Sequence, residues 1–277
     1  MKRFFNPGTA ACHLFLLGYV LVCLFPTFLV IMNSFEDKME IFNSPLTLPG
    51  PENFSAVGYL SVWEQGNFIL YFYNSLAVTL GSLFLILLFG SMAAFALSEY
   101  LFRGSRAVFL FFAMGIMIPI RLGTIGILDL MVGFSLVNTK LALVLVYSAQ
   151  GLPLAVFILT EFMRGLSLEL KDAARVDGLS EYSIFFKIVL PLIRPALATI
   201  AVFTMLPVWN DLWFPLILAP EESVKTVTLG AQQFIGQIVT DWNAVLAALS
   251  IATLPVLFLY LVFSKQLIRG ITSGAVK

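Results

Sequence analysis

The chain has 277 residues, of which 60% are hydrophobic and 12% charged, and its 16 basic and 16 acidic side chains balance to zero formal charge. That is about half the charged share of a soluble domain, so water alone cannot be its solvent and a bilayer must supply the rest. Zero net charge argues against a nucleic-acid partner, while the single His13 beside Cys12, with Cys23 in the same apolar run, offers neither a metal site nor a disulfide framework.

In chain order, six apolar stretches are long enough to cross about 30 Å of hydrocarbon as helix. They are 11–32, 70–98, 107–128, 140–162, 195–217 and 244–264. The first follows Lys2 and Arg3 as a signal peptide would, but it is too long and has no small-residue cleavage site before Asn33, so it reads as an anchor. Runs this long and unbroken predict an all-α polytopic membrane bundle rather than a barrel. Twelve basic residues, including Lys2, Arg3, Arg103, Arg106 and Lys277, fall on one side of this map. Four, Lys38, Arg121, Lys140 and Lys225, lie on or toward the other. The asymmetry predicts cytoplasmic N- and C-termini, with 33–69 and a loop near 218–243 outside.

Polar residues within the spans mark candidates for lining a path through the bundle. Asn74 and Gln150 are such positions in the second and fourth spans. Arg121 follows Pro119 in the third, about two-thirds of the way out by helical rise. Snorkelling to the outer interface or pairing with Asp129 would accommodate it. The sharper alternative turns it to the path, where it would bind an anionic group such as a sulfonate, phosphate or carboxylate. In the fifth span, Asn210 and Asp211 sit between Trp209 and Trp213. An aspartate at membrane depth must face the bundle interior or water, whereas the tryptophans suit an interfacial belt equally well.

Between spans four and five lies 163–194, a segment that contains "KDAARVDGLSEYSIFFKIVLP". Ser167 is positioned to cap a short helix with Glu169 and Asp172 in its first turns, and Gly178 to end it in the left-handed conformation. Ser180 then caps a second helix that Pro191 is expected to stop. Ile184, Phe185, Phe186, Ile188, Val189 and Leu190 need something to pack on, most simply the ends of the spans. An ordinary solvated loop and a docking surface for a soluble partner are equally open readings of these residues. The loop at 218–243 reads as a partner-facing hairpin or a packed outer loop, and the tail from Ser264 as a frayed end.

The order Asp172-Ala173-Ala174, three residues, Gly178, nine residues, Ile188, one residue, Leu190-Pro191 resembles the EAA loop of ATP-binding-cassette (ABC) importer permeases. Asp172 stands where that family usually has Glu, which keeps the charge and shortens the reach. The six-span layout, "WNDLWFPLIL" at 209–218 and "IRGITSGAVK" at 268–277 resemble the carbohydrate-uptake branch, the maltose-transporter MalG type. The resemblance implies a multi-pass permease subunit of the bacterial inner membrane that translocates a sugar or sugar derivative by alternating access. It implies four kinds of partner: a second similar permease, two ATPase subunits, a periplasmic solute-binding protein and membrane lipid. Each ATPase would receive one EAA helix in a surface cleft, giving Asp172, Ala173, Ala174, Asp177, Gly178, Ile188, Leu190 and Pro191 a coupling role. The tail would touch the ATPases through Thr272, Ser273 and Gly274, and the 218–243 loop would probe the binding protein.

ATP and Mg would be held by those partners: this sequence has no Gly-rich phosphate loop ending in Lys-Ser or Lys-Thr, so neither a cofactor nor enzymatic activity is expected of it. An ATP-independent secondary transporter or channel would need repeated halves or a coupling-ion site, and an intramembrane enzyme paired catalytic groups; the sequence offers neither.

Overall fold

The computed structural model describes residues 7–65, 67–100, 102–235 and 240–275, with backbone only at 7, 65, 259, 260 and from 262 onward. Among the described residues the regular elements are helices, joined by turns and two isolated β-bridges. The chain divides into two compact units, Met1–Phe68 with Gly230–Leu254, and Ile69–Leu229 with Pro255–Lys277.

In the first unit, α1 (Pro7–Asn33) is apolar around its whole circumference, and its side chains are exposed along most of its length. Such a surface is at home only in lipid or against another apolar surface. Two short helices follow, α2 (Lys38–Asn43) and α3 (Val57–Gln65). A Cβ at Gly58 would lie 2.2 Å from the Asn243 carbonyl oxygen, so glycine lets two backbones meet there. The Asn243 amide donates to the Glu36 carbonyl at 2.7 Å.

The second unit is built on α4 (Phe68–Glu99), α5 (Ser105–Met117), α6 (Thr124–Gly133) and α7 (Lys140–Arg164). Next come α8 (Leu168–Val176), α9 (Glu181–Ile184), a wide π turn at Phe185–Val189 and α10 (Leu190–Leu192). α11 (Arg194–Asn210) and α12 (Trp213–Leu218) follow in this unit, while α13 (Val227–Ala231) and α14 (Trp242–Ala275) each have residues in both units. At Gly151 a Cβ would fall 2.5 Å from Ile86 Cδ1 and 3.4 Å from Thr204 Cγ2, so α4, α7 and α11 converge on one missing side chain. Close approach through small residues is how membrane helices gain packing energy where lipid is as apolar as leucine.

Three predicted spans are continuous helices of crossing length, α1, α4 and α7. The third is not. α5 stops at Met117, Ile118 is extended, and the chain turns 88° through a 3₁₀ turn at Ile120–Gly123 before α6. Pro119 explains the break, since it donates no hydrogen bond and biases the residue before it away from the helix. The fifth predicted span also ends early, at Asn210, because Asp211 is extended. Counting each bent pair as one span gives five, and α14 supplies a shorter apolar stretch, Trp242–Phe258, where the sixth is predicted.

Candidate functional site

Helix α8 presents two unlike faces. Its inner face buries Lys171 and Ala174, the latter within a core of Phe95, Met163, Ile184, Phe185, Val189 and Ile193 drawn from the ends of α4 and α7 and the residues leading to α11. Lys171 pairs with one oxygen of Glu99, the last residue of α4, and Arg175 Nη2 lies 2.6 Å from the other. Arg175 also reaches Glu181 through Nε at 2.9 Å and Asp172 through Nη1 at 2.8 Å. The Tyr100 hydroxyl donates to Glu181 at 2.8 Å. Bonds to Glu181 and Glu99 raise the Arg175 pKa above its ordinary value. Bonds from Arg175 and then Tyr100 hold the Glu181 carboxyl below its own. Partial burial, reinforced by the bond to Glu181, pushes the Tyr100 phenol up to about 12. Five polar side chains thus lash α8 and α9 to the end of α4.

The outer face is bare. Asp172, Ala173, Asp177 and Gly178 are exposed, and Val176 is 87% exposed. Gly178 has φ +78°; its N–H bonds the Arg175 carbonyl while the Leu179 N–H bonds that of Ala174. This is the paired reverse bonding of a Schellman ending, which places glycine in the left-handed region. Ser180 Oγ accepts from the Ser183 N–H at 3.3 Å to start α9, as predicted. Ser167 precedes α8 without a side-chain capping bond, unlike the expectation. Pro191 does not stop its helix: the chain runs to Leu192 and bends by 74° across Ile193. Its effect lies upstream. A proline lacks an N–H and in a regular α-helix would clash with the carbonyl four residues back, and residues 185–189 open into the π turn, where the Leu190 N–H bonds the Phe185 carbonyl. Ala174 is buried, while Ile188, Leu190 and Pro191 are half-buried, Ile188 and Leu190 against the core.

The two helix breaks meet. Arg121, in the turn after Pro119, donates from Nη2 to Asp211 Oδ1 at 3.2 Å; Asp129, the predicted partner, stands exposed on α6. Asp211 Oδ2 accepts from the Tyr147 hydroxyl at 2.9 Å and the Phe214 N–H at 3.0 Å, which also caps α12. Arg121, Asp211, Gln150 and Asn210 line a cavity of about 260 Å³ with Tyr147 and Phe214. A larger one of about 600 Å³ shares Arg121 and Gln150 and runs along α5 and α7 past Pro119 and Pro153. Asn74 is elsewhere: fully buried, it donates to the Ser223 and Lys225 carbonyls at 3.0 Å each and holds the following loop. Thr272, Ser273 and Gly274 continue α14 as backbone, and their side chains lie outside the described ones.

The network at Glu99, Tyr100, Lys171, Arg175 and Glu181 is absent from the sequence-based candidates. Its one local signal was Lys171 and Arg175 four residues apart, facing one way on a helix.

The comparisons agree with one another. The family of binding-protein-dependent transport system inner membrane components matches residues 86–273. The chain is 31% identical over 267 residues to the diacetylchitobiose uptake system permease protein NgcG of Streptomyces coelicolor, covering 96% of this chain and 88% of that protein. It is 33% identical over 258 residues to the arabinooligosaccharides transport system permease protein AraQ of Halalkalibacterium halodurans, covering 92% of each. The melibiose/raffinose/stachyose import permease protein MelC of Bacillus subtilis is 31% identical over 265 residues, with 95% of each covered. In three dimensions, a chain from the crystal structure of a bacterial ABC transporter involved in the import of the acidic polysaccharide alginate superposes with a TM-score of 0.80 at 21% identity. That likeness covers 95% of this chain and 99% of the other, and it establishes the fold.

Proposed function

Because the chain belongs to the family of binding-protein-dependent transport system inner membrane components, we propose that it is a permease subunit of a saccharide importer driven through its 172–178 bend by separate ATPase subunits. Relatives named for the uptake of diacetylchitobiose, arabinooligosaccharides and raffinose-type sugars support a saccharide cargo. A second permease completes the path, and a binding protein delivers the sugar from outside. The termini face the cytoplasm, and the tail at Thr272, Ser273 and Gly274 touches the ATPases. ATP and Mg belong to those ATPases; this chain transmits motion and performs no chemistry.

One observation carries the reading: α8 is bound tightly on its inner face and bare on its outer one. Val176, 87% exposed beside Gly178, presents apolar surface that a partner's cleft would remove from water. A pull on that face passes through the Glu99 ion pairs into α4 and through Ala174 and Phe185 into α7 and α11. A lever needs this stiffness, since a loosely tethered helix would absorb the displacement.

The test is recovery of the ATPase with the affinity-tagged permease from native membranes. Val176→Asp and Gly178→Trp are each expected to cut recovery at least about tenfold, which corresponds to about 1.4 kcal/mol of docking energy, while the permease still inserts. Undiminished recovery with both variants would refute the docking role.

A further inference from the structure

We propose that Arg121 is an anion-recognising residue of the cargo cavity, and that the saccharides carried include ones bearing a carboxylate; the inference rests on the saccharide-importer reading. Asp211 is buried and satisfied, with Oδ1 taken by Arg121 and Oδ2 by Tyr147 and the Phe214 N–H. Arg121 is the opposite case. Its side chain is 65% exposed, and of its five N–H donors one meets Asp211. That contact uses one hydrogen of Nη2, so the second Nη2 hydrogen still forms a two-donor edge with a neighbouring nitrogen, and Nε and Nη1 have no hydrogen-bond partner among the described residues. The open valence of the cavity is therefore positive, although the pair is formally neutral.

The guanidinium is also held in place. Its Cζ lies 5.9 Å from the centre of the Trp213 ring, and Trp213 is itself oriented by donating from Nε1 to Thr124 Oγ1 at 3.0 Å. A planar fork fixed by an anchoring carboxylate on one side and an aromatic ring beside it is pre-organised for a second carboxylate on its free edge. Asp211 would repel that carboxylate from farther away than the bonded guanidinium attracts it, and Coulomb energy falls with distance, so the contact attraction wins. Gln150 and Asn210, on the same cavity wall, supply amide groups for sugar hydroxyls. Arg121 and Asp211 are the charged residues of this lining. In this arrangement Arg121 touches cargo and Asp211 is a positioning residue.

The test uses the native importer, purified with its companion subunits and reconstituted in vesicles. ATP-driven uptake is measured for uronic-acid oligosaccharides of two to four units and for neutral oligosaccharides of the same length and linkage, and the ratio of the two rates is read. The wild type is expected to carry the acidic set. Arg121→Gln should lower the acidic-to-neutral ratio at least about tenfold, the scale of a lost charge-assisted bond. Arg121→Lys keeps the charge and a partner for Asp211 but loses the fork, and should give an intermediate ratio. A variant that merely misfolds would lower both rates together. An unchanged ratio in both variants, or a wild type that carries only the neutral set, overturns the inference and leaves the importer reading standing. ATP-driven uptake of neither set would overturn the saccharide reading and this inference with it.

Discussion

Arg175 Nη2 lies 2.6 Å from one oxygen of Glu99, and Lys171 holds the other, so two cations one helical turn apart close on a single carboxylate at the end of α4. The Glu99 side chain is 4% exposed and that of Lys171 5%. Charges so deprived of water persist only when paired. The arrangement ties α8 to the end of α4, which is the stiffness that the proposed coupling role would need.

Neutralising that carboxylate should be costly. Glu99→Gln strands Lys171 in a buried place and is expected to lower unfolding stability by about 3–5 kcal/mol. Thermal denaturation of the solubilised protein measures it. Adding Lys171→Met should recover most of the loss, because Arg175 retains Glu181 and Asp172. A double variant no more stable than the single one would show that Glu99 matters for another reason.

Gly178 separates backbone strain from crowding. A Cβ there would meet nothing within 4 Å, yet φ is +78°. Gly178→Ala should therefore cost about 1–2 kcal/mol through conformation alone. Gly178→Asn should cost less, since asparagine visits that region more readily. Melting temperatures in the order Gly, Asn, Ala are the expected result.

Gly151 tests the opposite case. Its Cβ would sit 2.5 Å from Ile86 Cδ1 and 3.0 Å from Cγ1, so Gly151→Ala overpacks the junction of α4 and α7 by about 1–3 kcal/mol. Ile86→Ala in the same chain opens the space and should return part of that stability. A fully additive loss in the double variant would mean that the two side chains do not compete for one volume.

The Glu181 carboxyl is held below its ordinary pKa of 4.5 by Arg175 and Tyr100. A depressed acid contributes stability that is fully present above its unfolded value and disappears as pH falls through its folded one. Wild type and Glu181→Gln should therefore differ in stability at neutral pH and converge below the ordinary carboxylate range. Melting curves recorded from pH 7 downward check this, and a difference that persists to the lowest pH would exclude the ion pair as its source.

What could be read from the amino-acid order was local. Gly178 ends α8 and Ser180 starts α9 because the left-handed preference of glycine and the reach of a serine hydroxyl act within four residues. The apolar runs announce membrane helices because hydrocarbon thickness sets their length. Pro119 also carried its warning locally, but hydropathy averages over a window and passed across it. Packing decided the rest. Arg121 finds Asp211 ninety positions away, and Lys171 finds Glu99 seventy-two away, because two broken helices and one surface helix are brought together by cores that no short stretch encodes. Which cation meets which carboxylate follows from the positions of backbones, and those are set only when Gly151, Ile86 and their neighbours close around one another.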